Sequence, residues 1–246
     1  MKKILTLLLA LTLVFAMVSC NGSGDSSYLK MSEEQYNNVK IKSEGVMTYA
    51  EYAAAALEAD VVIEAYVQAT QSWWQDKITV YLADLDGAYF AYEMACTEEN
   101  AAKLTPGTKI KVTGEKGAWA GEVEIMYATF EFVGEEGDTY IAPALDVTSL
   151  LGKDALINYQ NQLVKFSEMT VVRVEYKNGT PGDDIYLTVS KNGAEYSFCV
   201  EIYLTGEDTE VYEAVGNLAA GDIVEVEGYA YWYNGINTHV TKVTKK

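Results

Sequence analysis

The sequence predicts a mostly β protein, two tandem five-stranded antiparallel barrels with short helices, and three observations predict it. First, LTPGTKIKVTGEKGAWAG (104–121) aligns without a gap with LAAGDIVEVEGYAYWYNG (218–235) at an offset of 114. Leu104/Leu218, Gly107/Gly221, Val112/Val226, Gly114/Gly228 and Gly121/Gly235 are identical across the two stretches, and a fixed internal period marks a repeated structural unit. Second, both copies are surrounded by alternating or continuous runs of β-branched and aromatic residues, the pattern of strands. Third, Asp86-Gly87, Asn192-Gly193 and Asn234-Gly235 punctuate those runs with pairs that accept positive φ and close hairpins.

Read in order, the chain opens with Lys2 and Lys3, then an uncharged run at 4–18, ILTLLLALTLVFAMV. A membrane-spanning helix needs about 20 apolar residues, so this shorter run reads as a secretory signal. Ser19 and Cys20 follow, and "MVSC" resembles the lipobox of bacterial lipoproteins. That resemblance implies removal of residues 1–19, a diacylated Cys20 as the first mature residue, and a protein anchored to the cell membrane facing outside the cytoplasm. Residues 20–44 contain little that is apolar and read as a flexible tether.

The first repeat is assigned to 45–136. TYAEYAAAALEA (48–59) predicts a helix, with Thr48 and Glu51 at capping-box spacing. Strands follow at VVIEAYVQAT, KITVYLAD, AYFAYEMA, TKIKVTGEK and EVEIMYATFEFV. Residues 137–148, acidic and small with Pro143 among them, form the expected linker. The second repeat, 149–246, has strands at LVKFSEMTVVRVEY, DIYLTVS, AEYSFCVEIYL, DIVEVEGYAYWY and INTHVTKVT. In each copy a helical stretch, CTEENAAKL or EDTEVYEAVGNL, separates the third strand from the fourth. The repeat offset predicts two separately folding units.

Five strands with a helix between the third and fourth, plus the "hydrophobic, x, Pro/Ala, Gly, x, x, hydrophobic, x, hydrophobic, x, Gly" phrase at 104–114 and 218–228, resemble OB-fold domains. These include small exported bacterial proteins and nucleic-acid-binding relatives. The resemblance implies a partly open Greek-key barrel. It leaves function open, because such barrels host many unrelated ones.

Composition narrows the classes. Eighteen basic and 36 acidic residues give a net charge of −18, and loss of Lys2 and Lys3 with the signal leaves −20. Nonspecific nucleic-acid binding needs a basic stripe that displaces counterions, so this balance speaks against nucleic acid as a partner. The expected partners are the membrane, through the N-terminal lipid, and an envelope protein or small ligand. His239 is the only histidine, and Cys96 and Cys199 are the only cysteines after Cys20. Such a set lacks the Cys/His spacing of a zinc site, so neither metal nor cofactor is expected. Acidic pairs such as Asp183-Asp184 fall in turns, where carboxylates face solvent. No nucleophile or acid–base constellation emerges, and the chain reads as a non-enzyme.

Aromatics are the remaining signal, with 19 tyrosines and four tryptophans. Trp73 and Trp74 fall in the loop joining the first two strands of copy one. Tyr229, Tyr231 and Tyr233 alternate along the fourth strand of copy two, which predicts one shared face with Trp232 opposite. These five residues are the candidate ligand-binding set. The function expected is a non-catalytic binding module, with glycan binding by exposed aromatics or single-stranded nucleic-acid binding by the barrels as alternatives.

Overall fold

The computed structural model describes residues 33–246 apart from positions 136 and 208. The expected signal peptide (1–19), the lipidation site Cys20 and the first part of the expected tether lie outside the described residues.

Two helices, α1 (Glu33–Lys40) and α2 (Tyr49–Ala54), precede the first barrel. The capping box of α2 forms as expected: Thr48 Oγ1 accepts from Glu51 N–H at 3.2 Å, and Glu51 Oε2 accepts from Thr48 N–H at 2.8 Å. The helix stops well short of Ala59 because Lys116 Nζ donates to the carbonyls of Tyr52, Ala53 and Ala55 at 2.8–2.9 Å. A lysine thereby satisfies carbonyls that a helix end leaves without partners.

Barrel 1 comprises β1 (Asp60–Thr70), β2 (Lys77–Ala83), β3 (Ala88–Ala95), β4 (Lys109–Trp119) and β5 (Glu122–Phe132). A short helix, α3 (Glu98–Ala101), separates β3 from β4. The strands run β1-β2-β3-β5-β4, with β4 pairing back onto β1 and β3 meeting β5 in parallel. Val61, Ile63, Val80, Leu82, Ile110, Val112 and Ile125 fill its interior.

After β6 (Leu145–Asp146) and two 3-10 turns at Thr148–Leu150 and Asp154–Tyr159, barrel 2 repeats the plan. It comprises β7 (Leu163–Tyr176), β8 (Ile185–Lys191), β9 (Ala194–Val200), β10 (Ile223–Tyr229) and β11 (His239–Lys245). Helices α4 (Ile202–Thr205) and α5 (Glu210–Gly216) lie between β9 and β10. Its ring runs β7-β8-β9-β11-β10, closed by β10 on β7. Phe166, Val171, Leu187, Phe198, Val224 and Val226 form the core, with Tyr212 and Val215 of α5 packed into it. The fold is two tandem OB-like barrels, and the strand order alone establishes this.

The repeat is visible atom by atom. Gly107 (φ +91°) donates to Val67 O at 2.7 Å and Gly221 (φ +92°) to Val171 O at 2.9 Å. Val67 N–H returns to Thr108 O, and Val171 N–H to Asp222 O, both at 2.8 Å. Glycine is retained here because a left-handed residue must enter the fourth strand at this angle.

Three expectations change. The tether is structured from Glu33 onward: Val39 is buried beside Tyr66 and Tyr140, and Lys42 Nζ meets Asp84 Oδ2 at 2.6 Å. Within the expected linker, Tyr140 packs edge-on to Tyr66, and the Gln68 side chain bonds Tyr140 O at 3.1 Å and Ala142 N–H at 2.8 Å. Finally, the alternation expected through Tyr233 ends at Tyr229. Ala230 instead pairs with Asn161 N–H and Gln162 O at 3.0 and 2.9 Å, and Tyr231 N–H turns back to Tyr229 O at 2.8 Å. Tyr229, Tyr231 and Tyr233 therefore do not share one strand face.

Candidate functional site

OB barrels present ligands to the outer face of their second and third strands, flanked by the loops between strands one and two and strands four and five. In barrel 1 that face is covered. Tyr81 of β2 and Phe90 of β3 point outward but are buried with Tyr229, packed against Leu163, Leu204 and Tyr231. Tyr81 stacks on Tyr229 with centroids 4.2 Å apart and planes 12° apart, while Phe90 meets Tyr231 edge-on at 5.6 Å. Tyr81 Oη shares a hydrogen bond with His239 Nδ1 at 2.9 Å. Burial lowers the His239 pKa to about 3, so its imidazole is neutral at physiological pH.

The tight β4–β5 turn of barrel 1 joins the same contact. Asn234 N–H donates to Ala120 O at 2.6 Å, and Trp232 N–H to Glu122 Oε2 at 2.8 Å. Gln160 holds both Gly121 O and Val123 N–H, at 2.8 and 3.1 Å. Glu122 is fully buried with Oε1 unpartnered, and burial pushes its carboxyl up to about 8 against the opposing Trp232 N–H. It is accordingly protonated at neutral pH.

The corresponding face of barrel 2 is open. A groove of about 1050 Å³ runs between three walls. Its floor is the outer face of β8 and β9, from Tyr186 to Ser197 and Cys199. One side is the loop between β10 and β11, with Tyr231, Trp232, Tyr233 and Asn237; the other is the segment 152–157, with Lys153 and Ile157. Trp232 and Tyr186 are half-buried and Tyr233 is 56% exposed. Polar groups are mainly acceptors: Asp154, Asp184, Glu195 and Glu201 face a single lysine, and Asn237 Oδ1 is buried without a partner. Burial, reinforced by Asp184, raises the Glu201 carboxyl to about 7. Burial also pushes the Cys199 thiol well up, which removes it as a nucleophile at neutral pH.

Compared with protein-family models and with curated proteins, the chain matches none. Among solved structures it is similar to the p202 HIN1 domain in complex with a 12-mer double-stranded DNA (13% identity, TM-score 0.35, covering 85% of this chain and 99% of that one). A murine DNA-binding protein bound to double-stranded DNA is 10% identical at a TM-score of 0.37, covering 76% of this chain and 100% of that one. A replication protein A heterotrimer bound to single-stranded DNA is 12% identical at a TM-score of 0.31, covering 77% of this chain and 52% of that one. The expectation that nucleic acid is an unlikely partner does not stand beside structures solved with DNA. The whole-chain charge behind it does not decide what a single groove accepts.

The structure separates the five candidate residues. Trp73 packs against the barrel 1 core and its indole N–H donates to Cys96 O at 2.8 Å, whereas Trp74 is 71% exposed. Tyr229 is spent on the inter-barrel stack, Tyr231 lies between Phe90, His239 and the groove, and Tyr233 stands at the groove rim. Trp232 and Tyr186 were missed. Alternation in Ile185-Tyr186-Leu187 already directs Tyr186 away from the core, and the Asn234-Gly235 turn places Trp232 in a loop flank.

Proposed function

We propose that the protein is a non-catalytic binding module of the bacterial cell envelope, held at the membrane by lipid on Cys20, that takes its ligand in the barrel 2 groove. One observation carries the reading: of two equivalent barrel faces, one is closed by its twin and the other is open and lined with aromatic rings. Side chains placed in this way pack against the faces of rings and exclude water around them. The ligand is a chain bearing such rings.

Single-stranded nucleic acid is one such chain, since bases stack on OB-fold aromatics with little regard to sequence. An oligosaccharide is the second reading, and the predominance of acceptors at Asp154, Asp184, Glu195 and Asn237 favours it because sugar hydroxyls are donors. Titrating the full chain in detergent with a thymidine oligonucleotide and with an oligosaccharide panel, while following tryptophan emission, tests both. The expected result is a saturable change that Trp232→Ala and Tyr233→Ala remove. Nucleic-acid binding weakens steeply with salt, and sugar binding does not. Absence of any saturable response, or binding indifferent to both substitutions, would overturn the groove as the site.

A further inference from the structure

A second cavity, of about 520 Å³, lies away from the groove between the β1–β2 loop and α4. Three aromatic side chains from three segments open onto it: Trp74 of the loop, Tyr92 of β3 and Tyr203 of α4, which are 71%, 43% and 62% exposed. Large rings left this exposed in one place signal contact with something else. Gln71, Gln75 and Ser72 supply amide and hydroxyl groups. The only charges lining the cavity are Lys77 and Glu93, paired with each other at 2.6 Å. Its lining is therefore close to neutral.

The backbone around the cavity is held in an unusual state. Gln75 (φ +48°), Asp76 (+58°) and Glu93 (+44°) all adopt left-handed conformations without being glycine. Such residues are strained, and they persist where surrounding structure enforces them, commonly at ligand sites. Here Asp76 O is fixed by Cys96 N–H at 2.9 Å and Glu93 N–H by Thr79 Oγ1 at 3.1 Å. Ser72 N–H donates to Tyr203 O at 2.7 Å, and Gln71 Nε2 to Glu201 at 3.0 Å, which tie the loop to α4 across the barrels. The backbone segments that carry the aromatic walls are thus tied together from both barrels.

We propose that this cavity binds a short neutral oligosaccharide, one sugar ring lying on Trp74 and its hydroxyls meeting Gln71, Gln75 and the Lys77–Glu93 pair. Sugar rings present C–H faces to aromatic planes and hydroxyls at their rims, which matches aromatic walls with amides and a neutralised ion pair between them. A volume in the lower part of the range for small-molecule sites suits a short oligosaccharide. The site is independent of the barrel 2 groove.

Isothermal titration of the full chain in detergent with cellotriose, maltotriose and chitotriose tests the proposal. At least one trisaccharide is expected to bind saturably, with affinity falling about tenfold or more in Trp74→Ala and in Tyr203→Ala. Trp74→Phe, which keeps a ring, is expected to retain most of the binding. Trp74 lies mostly in solvent, so thermal melts of its variants should match the parent and separate lost binding from lost folding. No heat from any of the three sugars, binding indifferent to Trp74, or loss only in Trp232→Ala would each overturn it.

Discussion

Tyr81 of barrel 1 and Tyr229 of barrel 2 lie face to face, 4.2 Å between ring centroids and 12° between planes, each almost wholly removed from solvent. Their burial couples the two repeats energetically. Deleting a buried aromatic ring costs about 3–5 kcal/mol, so Tyr229→Ala should lower stability by at least the smaller figure. It should also split denaturant unfolding, expected as a single transition in the parent, into two. One unchanged transition in the variant would show that the stack does not join the barrels.

Stability should depend on pH through two buried groups of opposite sign. Glu122 has an ordinary pKa of 4.5 raised to about 8 in the fold, so the folded state holds its proton more tightly. Its contribution is complete below about 4.5 and is lost as pH rises towards 8. His239 is lowered from 6.5 to about 3, so its contribution is present above 6.5 and lost as pH falls towards 3. Glu122→Gln, a neutral isostere, should stabilise the protein relative to the parent at pH 8.5 by on the order of a few kcal/mol and change little at pH 5. Urea midpoints at both pH values check this, and equal effects at the two would contradict a protonated Glu122.

Gly107 and Gly221 occupy equivalent positions with the same φ, yet their surroundings differ. A Cβ on Gly107 would lie 2.1 Å from Thr139 Oγ1, whereas one on Gly221 would meet nothing within 4 Å. Gly221→Ala should therefore cost only the conformational strain, about 1–2 kcal/mol. Gly107→Ala should cost more, and thermal melts of the two variants provide the comparison. Adding Thr139→Ala should bring the Gly107 variant close to the Gly221 one.

The anchor proposal makes a cellular prediction. Cys20→Ala should leave the protein uncleaved or release it into the medium, as fractionation and intact mass would show. Mature Cys20→Ala protein that stays with membranes through a high-salt wash would count against lipid as the tether.

The ring order was legible because local rules and the repeat agree. Asn192 and Gly193, with φ of +53° and +82°, form the two-residue turn between Lys191 and Ala194 that the sequence predicts. Val112 and Val226 are both buried core residues, as their identical contexts require. What alternation could not show is which outward face is covered. Tyr81 and Phe90 point out of barrel 1, and only contact with the other repeat buries them. Likewise Ala230 leaves its strand because Asn161 and Gln162, distant in sequence, capture its backbone. The candidate set accordingly mixed two structural residues, Trp73 and Tyr229, with Trp74 of the second cavity and the groove residues Tyr231 and Tyr233, and missed Trp232.

The closed face of barrel 1 also sets valency. A tandem repeat would ordinarily offer two like grooves on one chain, and a polymer engaging both would gain from effective concentration. Here one face is consumed as a joint, so each chain leaves a single OB face open to a long ligand. Multipoint attachment along such a polymer would then have to come from many chains side by side, and would scale with their surface density.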